Sequence, residues 1–332
     1  MADSTRNRAK GCLVGLAVGD ALGQPAEGKD PAEIRRRWGR IEGFTTETPE
    51  SSDDTEFALF SGQVLLRYGV QITSDDVARE WRHQLVRQGG PFRGAGFSEM
   101  AAIENLRRGI DPPLSGCHFH SWSDGLAMRV APLAIAANGN VALATKLAAV
   151  DGCVSHAGEG LYSGMAVAAA ITVALCSRPS RRAVERLAVA ALAAVPAESW
   201  TARSIGLGVS IGQQARDVWS ALDLLHDNLA VTYYPWVDLG PEAVGLAFGL
   251  VCAAQGDFSQ TVLGACNLGR DADTVAAIGG AIVGSLIGYE NIPPEWRNVV
   301  REARGSCIRC VAGTDLPSLA EDLVRLGEGA AC

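Results

Sequence analysis

Residues 274–287 read TVAAIGGAIVGSLI, a run of apolar and small residues without a charged side chain. The run is apolar around most of its circumference, which predicts a helix buried on several sides rather than a strand or a surface helix. Gly279, Gly280 and Gly284 each cost about 1 kcal/mol relative to alanine inside a helix. We therefore expect another helix to cross this one closely, because close backbone approach offsets that cost.

The same pattern recurs along the chain and decides the fold class. Strand signals are scarce, because apolar runs with a period of two are almost absent and aromatic residues make up only 6% of the sequence. No loop has the composition of a hinge linker between domains. We expect one all-α domain over residues 1–332. Its predicted helices lie at about 9–22, 53–68, 75–88, 98–107, 126–137, 141–150, 160–176, 180–193, 242–254, 258–266 and 274–287.

Composition limits the classes of partner. The formal net charge of −8 gives the chain no general attraction to nucleic acid or to anionic membranes. The uncharged run 160–177 approaches the length of a membrane span, but it consists mostly of Ala, Gly and Val and favours a core helix. The apolar run 11–19 ends at Asp20, which favours a buried helix over a secretory signal.

Cysteine and aromatic residues raise three further points. The nine cysteines are odd in number and lie mostly inside apolar runs, which is typical of a protein of the reducing cytoplasm. The tract CHFH at 117–120, together with Cys307 and Cys310, raises a zinc hypothesis, although loop or packing roles are favoured. The cluster YYPW at 233–236 could stack on a nucleobase or anchor a loop.

Two acidic strings, SDDT at 52–55 and DADT at 271–274, each stand directly before an apolar helical run. One interpretation is helix capping, because Asp and Thr satisfy free amide groups at a helix start. Capping needs one such residue, however, whereas each string has two carboxylates and at least one hydroxyl. Adjacent carboxylates repel each other, and a hard divalent cation is the usual compensation. The two strings could therefore hold two ions.

Further motifs appear in a fixed order around these strings. They are GDALG at 19–23 followed by Glu27, SDDT at 52–55, DGLAMRVAP at 124–132, SH at 155–156 with Gly158, Gly160 and Gly164, and NLGRDADT at 267–274. In this order they resemble the ADP-ribosylglycohydrolase family, which includes the dinitrogenase reductase-activating glycohydrolases and the ADP-ribosylhydrolases of animals. The resemblance covers about residues 9–300.

The resemblance implies an all-α fold of the orthogonal multi-helix bundle type, with two Mg²⁺ or Mn²⁺ ions at the bottom of a cleft. It also implies hydrolysis of the bond at the anomeric carbon of a ribose. Matched motif to motif, the metal ligands are Ser52, Asp53, Asp54, Asp271, Asp273 and Thr274. The catalytic acids are Glu27, Asp271 and Asp273, with a solvated loop acid beside Lys29 as the alternative for Glu27. The substrate-binding residues are Asp20, Asp124, Gly125, Met128, His156 and Gly158.

Asp124 departs from the pattern of the family, which commonly has Asn there in a loop that contacts a diphosphate. A carboxylate repels phosphate, and Arg129 either compensates for it or pairs with Asp124 itself. Two substrate classes therefore stay open. One is an ADP-ribosylated protein or other acceptor, and the other is an N-glycoside of a smaller ribosylated metabolite or nucleoside. A non-catalytic binding module is a third possibility, but retaining so many carboxylates without a metal is costly.

Overall fold

The computed structural model describes residues 2–330, and within them the backbone forms helices and isolated β-bridges without a β-sheet. The expected all-α fold is confirmed. In this part of the chain the α-helices are α1 (Ala2–Gly23), α2 (Pro31–Trp38), α3 (Asp53–Tyr68), α4 (Ser74–Trp81), α5 (Phe97–Arg107), α6 (Gly125–Arg129), α7 (Ala131–Ala136), α8 (Val141–Gly152), α9 (Glu159–Leu175), α10 (Arg181–Ala193), α11 (Trp200–Gln214), α12 (Val218–Leu229), α13 (Gly240–Ala253), α14 (Phe258–Leu268), α15 (Ala272–Ile287), α16 (Pro294–Arg297) and α17 (Leu316–Ala330).

Helices α1 and α15 pack against each other through facing small residues. A β-carbon added at Gly15 would lie 2.3 Å from the carbonyl oxygen of Gly280, and one at Gly19 would lie 2.1 Å from that of Ala276. The close crossing expected for residues 274–287 is therefore present, and α1 is the partner. This packing places the C-terminal end of α1 beside the N-terminal end of α15.

Helix α9 runs through the interior, where it contacts α6, α7, α8, α10, α13 and α15. The uncharged run 160–177 thus forms a core helix, as expected. Buried apolar side chains from α1 to α17 join into one continuous core. Within residues 2–330, none of the helices has both the length and the hydropathy that crossing a bilayer requires.

Several helices lie outside the expected ranges, chiefly α2, α11, α12 and α17. The sequence criterion selected segments that are apolar around most of their circumference, whereas these helices bury one face only. The expected helix 126–137 is divided into α6 and α7, because Pro132 has no amide hydrogen to continue the first helix. The expected helix 75–88 corresponds to α4 followed by a π-helical segment, Arg82–Val86.

Two isolated bridges hold four loops together at one end of the molecule. Lys29 pairs with Arg270, which joins the loop after α1 to the start of α15. Ser123 pairs with Leu239, which joins the loop before α6 to the loop before α13. Gly28, Ser123 and Asp238, which lie at or beside these bridges, border one common space.

Candidate active site

A cleft of about 440 Å³ opens where the first turns of α3 and α15 meet these loops. Six of the acidic residues predicted from the sequence line it: Glu27, Asp53, Asp54, Asp124, Asp271 and Asp273. Gly125, Met128 and Thr274 also contribute to its wall. The structure therefore brings together residues from both acidic strings and from the 124–132 motif.

Two groups of three carboxylates have oxygen atoms close enough to share a cation. Asp20, Asp54 and Asp273 form one group, and Glu27, Asp271 and Asp273 form the other. In each group one oxygen from every residue lies within 4.8 Å of the others. Asp273 belongs to both groups, so it stands between two adjoining positions for a cation.

The first turn of α3 is fixed by Asp20, which lies beneath the cleft. The Asp20 carboxylate accepts hydrogen bonds from the Ser52 amide at 2.8 Å and from the Thr55 hydroxyl at 2.5 Å. Asp20 is 0% exposed and does not line the cleft, so direct substrate contact, as predicted from the sequence, does not fit its position. Its place in a group of possible cation ligands and its hold on α3 make it a support for Asp53 and Asp54.

Hydroxyl groups from both acidic strings meet at Asp54. The Thr274 hydroxyl donates to Asp54 Oδ1 at 2.8 Å, and the Ser52 hydroxyl donates to Asp54 Oδ2 at 3.4 Å. Ser52 and Asp271 occupy the N-cap positions of α3 and α15, but neither side chain makes a capping hydrogen bond. The capping interpretation therefore does not account for the two strings.

Burial shifts the titration of the whole cluster. Loss of solvent, and then repulsion from neighbouring carboxylates, raises the pKa of Asp53, Asp54, Asp271 and Asp273 well above the ordinary aspartate value. Burial also raises the pKa of Asp20 to about 6, against the opposing hydrogen bonds from Thr55 and Ser52. So many buried carboxylates need protons or cations to balance their charge.

Glu27 approaches the cluster from a loop at the mouth of the cleft. The Gly28 amide donates to the Arg270 carbonyl at 2.8 Å, and the Arg270 amide donates to the Lys29 carbonyl at 2.8 Å. A β-carbon at Gly269 would lie 2.1 Å from the Lys29 carbonyl oxygen, so the two loops touch. Glu27 is exposed, unlike the buried aspartates, and this loop pairing holds it beside Asp271.

Asp124 lines the cleft, and its Oδ2 atom is buried without a hydrogen-bond partner. Arg129 was expected either to compensate for the charge of Asp124 toward phosphate or to pair with Asp124, and it does neither. The Arg129 guanidinium is buried and donates to Glu99 Oε1 at 2.9 Å and to Asp151 Oδ2 at 2.8 Å. Arg129 is thus committed to two other carboxylates, and it neither pairs with Asp124 nor faces the substrate.

Sequence reasoning missed two acidic residues of the cleft, Glu99 and Asp238. Glu99 stands in the first turn of α5, where a glutamate is an ordinary partner of the helix dipole. Asp238 lies in the loop before α13 and accepts hydrogen bonds from His120 Nε2. The nearest available signal for Asp238 was the aromatic cluster that precedes it.

His156 and Gly158 do not line the cleft. His156 is buried, with its ring nitrogens 3.0 Å from the Ser123 hydroxyl and 2.8 Å from the Ser155 hydroxyl. Gly158 has a φ of 55°, and a β-carbon there would lie 2.8 Å from the Trp122 indole nitrogen. Both residues lie behind the loop before α6 and support it. Neither reaches the cleft directly, so their contact with substrate stays a prediction.

The CHFH tract anchors loops. His118 Nε2 lies 3.0 Å from the Ser155 carbonyl oxygen, and His120 contacts Asp238 and the Tyr234 hydroxyl. Among residues 2–330, the groups of possible metal ligands contain carboxylates alone, without histidine or cysteine, which gives the zinc hypothesis no support. The eight cysteines in this part of the chain are free thiols, and Cys332 lies outside it.

The YYPW cluster anchors a loop, as one of its two interpretations expected, whereas stacking on a nucleobase stays a prediction. Tyr234 anchors the loop through His120, whose ring stacks on it at 5.7 Å between centroids. Pro235 and Trp236 line the same cleft as the acidic strings. The aromatic ring of Trp236 is therefore available to a bound molecule.

Comparison with known proteins gives consistent results. The family model for ADP-ribosylglycohydrolase matches residues 1–331. A protein of Archaeoglobus fulgidus is 30% identical, with 86% of this chain and 89% of that protein covered. The ADP-ribosylarginine hydrolase Tri1 of Pseudomonas putida is 28% identical (87% and 73% covered), and human ADP-ribosylhydrolase ARH3 is 26% identical (88% of each). A solved structure titled ADP-ribosylglycohydrolase-related protein complex has the same fold, with a TM-score of 0.69 at 24% identity over 98% of this chain and 99% of that chain.

Proposed function

The chain belongs to the ADP-ribosylglycohydrolase family, and we propose that it is a metal-dependent glycohydrolase that cleaves the bond at the anomeric carbon of a ribose. The observation that carries this proposal is the position of Asp273 in two adjoining groups of carboxylate oxygens. Membership in a family of glycohydrolases supports the reaction class. The carboxylate groups support the dependence on metal.

The residues present fit two hard divalent cations. Buried carboxylates and hydroxyls are the oxygen ligands that Mg²⁺ and Mn²⁺ prefer. The residues that would hold the ions are Asp54, Asp271 and Asp273, which belong to the two carboxylate groups. Asp53, Thr274 and Ser52 of the same acidic strings would complete the set. When bound, two Mg²⁺ or Mn²⁺ ions would balance the carboxylate charge and hold the ribose hydroxyls in place.

The chain's own acids account for the rest of the reaction. Departure of the leaving group builds positive charge on the ribose ring, and the negative wall of the cleft stabilises that charge. We assign the proton transfer to Glu27, because its carboxylate is at the solvent-exposed mouth whereas the aspartates are buried. It would take a proton from the attacking water or give one to the leaving group. Asp271 and Asp273 are the alternatives for the same step.

Two substrate classes are candidates for this site: an ADP-ribosylated acceptor and a smaller riboside. The names of the relatives point to an ADP-ribosylated acceptor. A smaller riboside is favoured by one observation: the described residues that line the cleft include acidic residues on several sides but neither Lys nor Arg. A diphosphate ordinarily binds to cations or to free backbone amides.

A substrate panel tests the proposal. The purified protein, with Mg²⁺ or Mn²⁺, is incubated with an ADP-ribosylated arginine peptide and with a series of ribosides, and released sugar is detected by mass spectrometry. We expect hydrolysis that chelation abolishes and that Asp273→Asn reduces at least 10²-fold. Asp257→Asn, which alters a helix cap outside the cleft, is the matched control. Hydrolysis that persists equally with chelator and in Asp273→Asn contradicts the proposal.

A further inference from the structure

One wall of the cleft carries acidic residues that belong to neither group of possible cation ligands. Glu99, Asp124 and Asp238 form this wall, which we call the acidic wall. Glu99 is 0% and Asp124 is 3% exposed, and each has one carboxylate oxygen, Oε2 and Oδ2 respectively, buried without a hydrogen-bond partner. A buried carboxylate oxygen without a partner is costly, so these atoms are suited to a donor or a cation that arrives with the substrate.

The space beside Gly96, which has no side chain, is where the donor or cation of the substrate would bind. A β-carbon there would lie 3.1 Å from Glu99 Oε2 and 3.6 Å from Asp238 Oδ2. Both oxygens therefore border the space that Gly96 leaves free, and Gly96 itself lines the cleft. Asp124 is tied to the same place, because its amide donates to the Asp238 carbonyl at 3.0 Å.

Neighbouring cations do not neutralise the acidic wall. Arg129 binds Glu99 Oε1, but it shares its charge with Asp151. Two divalent ions would bring four positive charges to a cleft lined by more carboxylates than that. These are Glu27, Asp53, Asp54, Glu99, Asp124, Asp238, Asp271 and Asp273. The cleft thus keeps an excess of acid beside the metal ligands, where the Asp124 carboxyl group meets that of Asp271.

Aromatic rings stand beside the acidic wall. Phe97 and Trp236 both line the cleft, and their rings lie 5.6 and 5.0 Å from the ring of His120. His120 in turn holds Asp238 through its Nε2 atom. Carboxylates combined with aromatic faces are the surroundings that an organic cation prefers.

We propose that the substrate is a riboside of a cationic nitrogen group, and that this group binds to the acidic wall in the place of a diphosphate. The inference rests on the proposed glycohydrolase function. Without a diphosphate the substrate consists of the ribose and its leaving group, so the cation at the wall is the leaving group. In hydrolysis, the water oxygen bonds to the anomeric carbon and the carbon–nitrogen bond breaks. Its electron pair stays on the nitrogen, which loses its positive charge, and the proton of the water passes to Glu27.

The test uses two ribosides that have similar size and shape but differ in charge. Nicotinamide riboside carries a pyridinium cation, and its dihydro form is neutral; ADP-ribose provides the diphosphate arm. With Mg²⁺ present, we expect the wild type to bind the cationic riboside at least about tenfold more tightly than the neutral one. Asp124→Asn should reduce that preference and strengthen ADP-ribose binding about tenfold or more. Asp257→Asn should change neither, and Mg²⁺ titration of each variant confirms that the metal positions are intact.

The outcomes separate the two proposals. Equal binding of the two ribosides, or tighter binding of ADP-ribose by the wild type, overturns the cationic substrate while the glycohydrolase function stands. A third Mg²⁺ that binds to the wild type and is lost in Asp124→Asn also overturns it, because the wall would then be a metal site. If no substrate of the panel is hydrolysed and Mg²⁺ does not bind, the proposed function itself fails.

Discussion

The backbone amide of Asp124 donates a hydrogen bond to the carbonyl oxygen of Asp238 at 3.0 Å. The bridge between Ser123 and Leu239 continues this pairing, so two acidic residues from distant parts of the sequence adjoin each other in the cleft. Burial raises the pKa of Asp124 well above its usual value, and the charge of Asp238 raises it further. The electrostatics of the site therefore depend on the loop before α13 as well as on the acidic strings.

Binding of Mg²⁺ should stabilise the protein, and Asp273→Asn should remove most of that gain. Asp273 belongs to both carboxylate groups, so its loss weakens both positions for a cation. A ligand that binds the folded state alone stabilises it by about 2.7 kcal/mol at one hundred times its Kd. Calorimetric titration and the melting temperature with and without Mg²⁺ measure the effect. Asp257→Asn serves as control, since Asn also caps a helix. Unchanged Mg²⁺ affinity in Asp273→Asn would argue against a metal at this site.

Glu27→Gln should lower kcat by about 10²- to 10⁴-fold and leave KM nearly unchanged. The amide keeps the shape of the side chain but cannot exchange the proton. Rates are measured on the substrate that the panel identifies, and Mg²⁺ binding is checked in parallel. The exposed Glu198→Gln is the matched control and should have the activity of the wild type. A normal kcat in Glu27→Gln at full metal occupancy would make Glu27 the solvated loop acid of the alternative interpretation.

Sequence alone predicted those residues of the site that lie close together in the chain. Asp53, Asp54, Asp271 and Asp273 come in pairs at helix starts, and such pairs are informative without any knowledge of the fold. Glu99 has no such signal, because a single glutamate in the first turn of a helix is ordinary. Its importance comes from packing against loops that are far away in the sequence.

The same limit applies to Arg129 and to the helices. Helical spacing suggested Asp124 as the partner of Arg129, but the guanidinium turns toward α5 and α8 instead.

Buried helices such as α9 and α15 were predicted because they are apolar on all sides. Helices such as α12 and α17 bury one face, and that weaker pattern was not sufficient to distinguish them from loops.

Gly19→Ala should destabilise the fold by about 1–3 kcal/mol. Its β-carbon would lie 2.1 Å from the Ala276 carbonyl oxygen, so α1 and α15 must separate. The adjoining Asp20 would move relative to Asp273, and we expect weaker Mg²⁺ binding as well. Gly206→Ala is the control, because a β-carbon in that part of α11 meets nothing within 4 Å. Alanine there should stabilise the helix by up to about 1 kcal/mol. Similar denaturation midpoints for the two variants would contradict the close crossing.

Arg129→Gln should destabilise the protein by about 3–5 kcal/mol, because it leaves the buried carboxylates of Glu99 and Asp151 without their shared cation. The control is Arg301→Gln, which breaks an exposed pair with Asp315 and should cost less than about 1 kcal/mol. Urea denaturation measures both. Adding Glu99→Gln and Asp151→Asn to Arg129→Gln should restore part of the lost stability, since the uncompensated charges are then removed together. A triple variant no more stable than Arg129→Gln would show that the loss reflects packing of the arginine rather than its charge.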